Sequence, residues 1–342
     1  MKDQKIIKLF EKSLTKKVIS ITDSSNGVDQ EVKIIETKNN KYVIKIPNEK
    51  VILHREIFAC NILNGIIPVP NIIFKSDYFL IQDYITGESL DKTNLSKNNF
   101  RKVYFQVGTC FKMIHQIKSK GFGPIDYKGN AKYKTTREGV DKILQDCLRY
   151  LSGKNILSDK EIKKIKLYFK LNYHFVNNND SVLLHFDYGD KHIKIKNEKI
   201  TGILDFGDLS SGPNSYDLAM SYIDYYDTEK FNFIMKGYGK FDLKEIKFYA
   251  CLILIEKIKK HYLYVKTIDD IKNNRLSDES INELNKKYLT DYKLQKNKKQ
   301  ITISRLNGEI KIINLKKINT KIEKKISSLK KKMQLLKTII NY

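Results

Sequence analysis

The chain has 342 residues, 41% of them hydrophobic, and carries 64 Lys and Arg against 39 Asp and Glu for a formal net charge of +25. That much apolar material excludes a disordered chain and is enough for a two-lobed core. Four scattered cysteines, Cys60, Cys110, Cys147 and Cys251, form neither a disulfide framework nor a C-x-x-C site, and no apolar run reaches membrane-spanning length or has the pattern of a cleaved leader, so a reduced cytoplasmic protein is expected.

Ile6, Ile7, Phe10 and Leu14 recur at helical spacing and predict an amphipathic first helix. Val18, Ile19 and Ile21, then Val32, Ile34 and Ile35, then Tyr42, Ile44 and Ile46 predict a three-strand meander whose first turn is S-S-N-G, Ser24 to Gly27. The hydroxyls and backbone N–H groups of Ser24 and Ser25 suit contact with phosphate, although this turn has one glycine rather than several. Lys45, in Y-V-I-K on the third strand, is placed to reach the α- and β-phosphates of a nucleotide, and Glu56 in the following helix, Val51 to Leu63, is placed to pair with it. A strand lysine in so lysine-rich a chain is ordinarily solvated. The order of elements argues otherwise: strand, turn, strand, strand-Lys, helix-Glu, I-P-V-P-N and a further strand, Tyr78 to Asp83, follow the small lobe of a kinase.

The run from Leu183 to Asp217 is the most informative. An H-x-D turn, two short apolar strands (Ile193 to Lys196 and Ile200 to Leu204) and a D-F-G direct Asp187 and Asp205 toward one cleft. Phosphoryl transfer through a loose transition state asks the protein for positioning and charge neutralisation. One carboxylate, Asp187, would orient and finally deprotonate the acceptor hydroxyl. A second, Asp205, would hold Mg²⁺, a hard cation that prefers oxygen ligands. From Asp205 to Asp217 there is room for a short turn only, with no long segment and no A-P-E against which a peptide could lie, so a small-molecule acceptor is expected, between the catalytic loop and the helices after Ser215.

After this region the chain becomes more basic: from Lys296 onward it has 14 Lys or Arg against Glu309 and Glu323, a net +12. Alternation from Ile301 to Ile313 on both sides of Asn307-Gly308 predicts a hairpin, and Ile318, Ile322, Ile326, Leu329, Met333, Leu336 and Ile340 predict a basic amphipathic helix. Such a tail fits packing on its own domain, a partner protein, or contact with nucleic acid or an anionic membrane. A basic body is not what a polycationic acceptor calls for unless a local acidic pocket overrides the long-range field; Asp224, Asp227 and Glu229 are candidates for one, with a solvated helix face as the plainer reading.

Together with Ile67 to Pro70, Phe79 to Leu90, Met113 to Ile117, Gly121 to Asp126 and Ser215 to Ala219, these motifs resemble the aminoglycoside phosphotransferase family over roughly residues 17 to 260. The resemblance implies that Asp83, Tyr84 and Ile85 form a hinge whose backbone reads the purine, that Asp217 supports the catalytic loop from the start of a helix, and that His185 is a packing residue. The commonest pattern has Asn five residues beyond the catalytic Asp; here His192 stands there, as in the aminoglycoside 2''-phosphotransferases and the macrolide phosphotransferases. We therefore count His192 both with Asp187 at the catalytic centre and with Asp205 at the metal, while noting that imidazole is a poor Mg²⁺ ligand and that a hydrogen bond to phosphate or to Asp205 is a natural substitute.

The expected fold is α+β, a bilobal protein-kinase-like architecture with a nucleotide-binding lobe over 1–85, a mainly helical catalytic and substrate-binding lobe over 86–295 and a basic extension over 296–342. The expected function is Mg²⁺-dependent transfer of the γ-phosphate of ATP or GTP to a small-molecule hydroxyl, an aminoglycoside-type antibiotic being the first choice. Two alternatives stand beside it. One is a kinase of a metabolite such as a sugar, choline, homoserine or methylthioribose; the other is a non-catalytic nucleotide-sensing module that engages RNA or a partner through its basic tail.

Overall fold

The computed structural model describes residues 3–24, 30–177, 180–272, 292–297, 300–305 and 310–341. The first helix, α1 (Asp3–Leu14), precedes strands β1 (Ser20–Asp23), β2 (Gln30–Glu36) and β3 (Lys41–Pro47), helix α2 (Lys50–Leu63) and strands β4 (Ile72–Lys75) and β5 (Leu80–Asp83). The five strands form an antiparallel sheet in the order β1-β2-β3-β5-β4. Period-two alternation explains its two faces. Ile35, Tyr42, Ile44 and Ile81 pack with Phe79 and with Ile6 and Phe10 of α1, whereas Lys45, one residue beyond Ile44, turns to the opposite face and meets α2. Lys33, on the α1 face, is neutralised by Asp3 and Asp23 at 2.8 Å each, which fastens the first helix to the sheet. The strand β4 was not foreseen in the sequence.

Beyond the sheet come β6 (Glu88–Ser89), α3 (Lys97–Ile114), β7 (Phe122–Ile125), β8 (Ala131–Tyr133), α4 (Thr136–Gly153), α5 (Asp159–Leu171) and β9 (Val182–Leu184). Then follow β10 (Ile193–Lys196), β11 (Lys199–Ile203), β12 (Ser210–Gly212), α6 (Asn214–Tyr225), α7 (Glu229–Tyr238) and α8 (Leu243–Lys272). Strand β9 delivers the chain to His185, the β10–β11 hairpin carries it from His192 to Asp205, and β12, paired with β9 and β7, leads into α6. Helices α3 and α7 approach backbone to backbone: a Cβ on Gly108 would lie 1.9 Å from the Ile234 carbonyl oxygen, and one on Gly237 the same distance from that of Phe105. Only glycine permits so close a crossing.

Two compact units divide the chain, one of residues 1–142 and 169–250, the other of 143–168 and 251–342. The second contains the antiparallel strands β13 (Tyr292–Asn297), β14 (Gln300–Arg305) and β15 (Ile310–Asn314), then helix α9 (Leu315–Ile340). The Asn307-Gly308 turn lies outside the described residues. Near its end α9 buries Leu335, Leu336 and Ile339, and Lys337 pairs with Glu161 of α5 at 2.9 Å. All four cysteines are free and buried, and no described helix is long and apolar enough to cross a membrane.

Candidate active site

The site is built inside the first unit. Lys45 Nζ lies 2.5 Å from Glu56 Oε1, and both side chains are almost wholly buried. Burial works against the Lys45 ammonium, but the charges of Glu56 and then Asp205 outweigh it and hold the pKa above that of a free lysine. Two further donors complete the Glu56 carboxylate: Gln82 Nε2 reaches Oε1 at 3.2 Å and the Phe206 backbone N–H reaches Oε2 at 2.9 Å. A buried charge pair is tolerable only when its remaining lone pairs are met in this way. Arg55, the neighbour of Glu56, donates to the carbonyls of Ile125 at 2.6 Å and Gly207 at 3.1 Å, tying α2 to the D-F-G segment from a second side.

Asp217, completely buried in the first turn of α6, accepts the backbone N–H groups of His185 and Phe186 at 2.9 Å each and is 3.1 Å from His115 Nε2. These bonds hold the turn from His185 to Asp187, in which Phe186 takes a φ of 66°. Asp205 has a φ of 68°, so both turns keep a non-glycine residue in the left-handed region. His185 is buried and packs against Phe206, but it also links the two turns: its Nε2 lies 3.1 Å from the Leu204 carbonyl, and its Nδ1 accepts the Asp187 N–H at 3.3 Å. That pairing requires the neutral tautomer with its proton on Nε2. Burial first of all lowers its pKa, in keeping with neutrality.

At the centre His192 stands between the two acids, with Nε2 3.0 Å from Asp187 Oδ2 and Nδ1 3.5 Å from Asp205 Oδ2. Lys191 Nζ lies 3.3 Å from Asp187 Oδ2, and Gln30 Nε2 donates to Asp205 Oδ1 at 3.3 Å. Burial alone would raise the pKa of Asp187; the hydrogen bond and charge of His192, followed by the charges of Lys191 and His185, prevail and hold it well below the usual carboxylate range. One ligand atom from each of Asp187, His192 and Asp205 falls within 4.8 Å of the others. Two carboxylates at this separation fit a hard divalent cation; the imidazole suits it less and is better matched to the hydrogen bonds it makes.

The expected hinge follows β5. Asp83 gives its N–H to the Asn71 carbonyl at 3.1 Å and Tyr84 gives its own to the Lys41 carbonyl at 3.3 Å. Ile85 packs on Gly202 of β11, where a Cβ would lie 2.5 Å from Ile85 Cγ2. Ser24 is exposed, and its N–H is held by the Val32 carbonyl at 3.1 Å; Ser25 lies outside the described residues.

The sequence reading missed a cluster at the far end of the loop that follows Asp187. Asp190 takes the hydroxyls of Tyr104 and Tyr225 at 2.8 Å each and the Lys230 ammonium at 2.5 Å, while that ammonium lies 5.1 Å from each of the two ring centroids. The glycine crossing of α3 and α7 brings Tyr104 and Lys230 together on it. Asp224, Asp227 and Glu229, by contrast, are exposed.

The model of the family described as "Phosphotransferase enzyme family" matches residues 20–249. No curated protein matches the sequence. Among solved structures, a thermostable mutant of aminoglycoside phosphotransferase APH(4)-Ia in ternary complex with AMP-PNP and hygromycin B is similar at a TM-score of 0.60 and 14% identity, over 75% of this chain and 90% of that one. The gentamicin–APH(2'')-IIa complex is similar at a TM-score of 0.58 and 20% identity, again over 75% and 90%. ADP-bound aminoglycoside phosphotransferase APH(2'')-Ib is similar at 0.53 and 19% identity, over 82% and 95%. These likenesses give the fold as the α+β, kinase-like one of the aminoglycoside phosphotransferases, as the motifs led us to expect.

Proposed function

The chain belongs to the phosphotransferase enzyme family, and we propose that it moves the γ-phosphate of ATP or GTP to a hydroxyl of a small molecule, an aminoglycoside-type antibiotic being the leading acceptor. The observation that carries this reading is the convergence of Asp187 and Asp205 on His192, with Asp205 close enough to raise the pKa of the paired Lys45.

In this proposal Lys45, steadied by Glu56, holds the α- and β-phosphates. The N–H groups of Asp83 and Tyr84 are already engaged, so the hinge reads the purine through the Asp83 carbonyl and the Ile85 N–H. Asp205 holds Mg²⁺, which when bound neutralises charge on the phosphates. Asp187, ionised at neutral pH, accepts the hydrogen bond of the acceptor hydroxyl and aims its oxygen at phosphorus. So acidic a carboxyl is a weak base and takes the proton late, as a loose transition state permits. His192 keeps the two acids in register, and the Ser24 hydroxyl contacts phosphate, with Ser25 beside it. The nucleotide part is assigned to 1–85, catalysis and acceptor binding to 86–295, and 296–342 to an extension; the protein works in the cytoplasm.

A metabolite kinase is the second reading, because Asp190, the partly buried acid at the end of the loop after Asp187, is already neutralised by Lys230 and offers no free charge to a polycation. Release of ADP or GDP across a panel of aminoglycosides, sugars, choline, homoserine and methylthioribose separates the two. Nucleotide that binds without being consumed by any acceptor would instead favour the sensing module.

A further inference from the structure

We propose that Gln30 is a phosphate-positioning residue of the nucleotide site, whose side-chain amide passes from Asp205 to the phosphates when the nucleotide enters with its cation; the inference rests on the function proposed above. Gln30 opens β2 and pairs with Pro47 of β3, and two residues along Val32 pairs with Lys45. Alternation places Gln30 and Lys45 on one face of the sheet, on neighbouring strands. Both address the same carboxylate: the Gln30 amide donates to Asp205 Oδ1 at 3.3 Å across 175 residues of chain, and Lys45 feels the Asp205 charge. Gln30 therefore shares the surface that presents Lys45 to the nucleotide.

The chemistry of Asp205 favours the exchange. Its Oδ1 takes the Gln30 amide and its Oδ2 faces His192 Nδ1 at 3.5 Å. A divalent cation on this carboxylate draws charge from the oxygen that accepts the amide and repels the positive end of its N–H dipole, so the bond weakens and the amide is released toward other acceptors as the cation arrives. A donor displaced from an anion is costly to leave unpaired, and the acceptors that arrive with the cation are the anionic phosphate oxygens. Because the amide is neutral, its part is to place the phosphates rather than to add charge.

Calorimetric titration of the full chain with ADP, with and without Mg²⁺, tests this on Gln30→Ala and Gln30→Glu. For Gln30→Ala we expect an unchanged melting temperature, affinity for Mg·ADP about tenfold lower and affinity for ADP alone altered less than about twofold. Gln30→Glu, of the same shape but repelled by phosphate, should lose more. Gln30→Ala that binds Mg·ADP like the wild type, or that loses affinity equally with and without Mg²⁺, overturns the assignment and leaves the proposed function standing. Wild type that binds no nucleotide overturns both.

Discussion

Phe206 donates its backbone N–H to Glu56 Oε2 at 2.9 Å, so the carboxylate that holds Lys45 also fixes the peptide immediately after Asp205. One side chain thus positions both the lysine proposed to hold the phosphates and the turn proposed to hold the metal. Glu56→Ala should cost about 3 kcal/mol of stability by stranding a buried ammonium. Glu56→Gln, which can still accept from Phe206, should be milder in melting temperature yet lose most nucleotide affinity. Thermal melts beside nucleotide titrations check the pair; equal effects in both assays for the two variants would refute the double role.

Asp190 fixes the end of the loop proposed to be catalytic as Asp217 fixes its start. Lys230→Met keeps an apolar stem against Tyr104 and Tyr225 but leaves the nearly buried Asp190 without its cation. A loss of about 2 kcal/mol in stability is expected, with a lower kcat and an unchanged KM for the nucleotide. Steady-state kinetics decide this, since a role in nucleotide binding would move KM instead.

His192→Asn replaces the imidazole with an oxygen ligand. The half-saturating Mg²⁺ concentration for ADP binding should fall, while kcat drops because Asp187 loses its 3.0 Å partner. Titration with Mg²⁺ at fixed ADP reads the first effect. A higher Mg²⁺ requirement would mean that the imidazole is itself the better ligand here.

In the second unit Glu161 closes a capping box, taking the Ser158 N–H at 2.9 Å while Ser158 Oγ accepts the Glu161 N–H at 3.3 Å. The Ser158 N–H, then the Lys337 ammonium, lower its pKa to about 2. A carboxyl whose folded pKa is depressed contributes stability above its unfolded value, near 4.5, and loses it as pH falls through about 2. Glu161→Gln should therefore cost about 1 kcal/mol at pH 7, and the gap from wild type should shrink between pH 5 and pH 3. Melting temperatures across that range provide the check, and a gap that stayed constant would contradict the sign.

What the sequence made legible were residues whose partners are announced by motif or period. Lys45, Glu56, Asp187 and Asp205 each sit in a short pattern that names its own chemistry, His192 and Asp217 stood out through the family resemblance, and the meander of β1, β2 and β3 shows in its alternation. Strand β4 was missed because I-I-F-K has too few residues to show a period. Gln30, Gln82, Arg55 and the Asp190 cluster were missed for another reason. Their partners lie 26 to 175 positions away, and Gln, Arg, Tyr and Lys are common enough that nothing local marks them. Only the folded chain brings them together.

Transfer of labelled γ-phosphate from ATP or GTP to the acceptor panel, run with wild type and Asp187→Asn side by side, tests the central claim most directly. Labelled product from at least one hydroxyl acceptor with wild type, and none with a variant that still binds Mg·ADP, is the predicted result. Equal transfer by the two proteins would contradict the account.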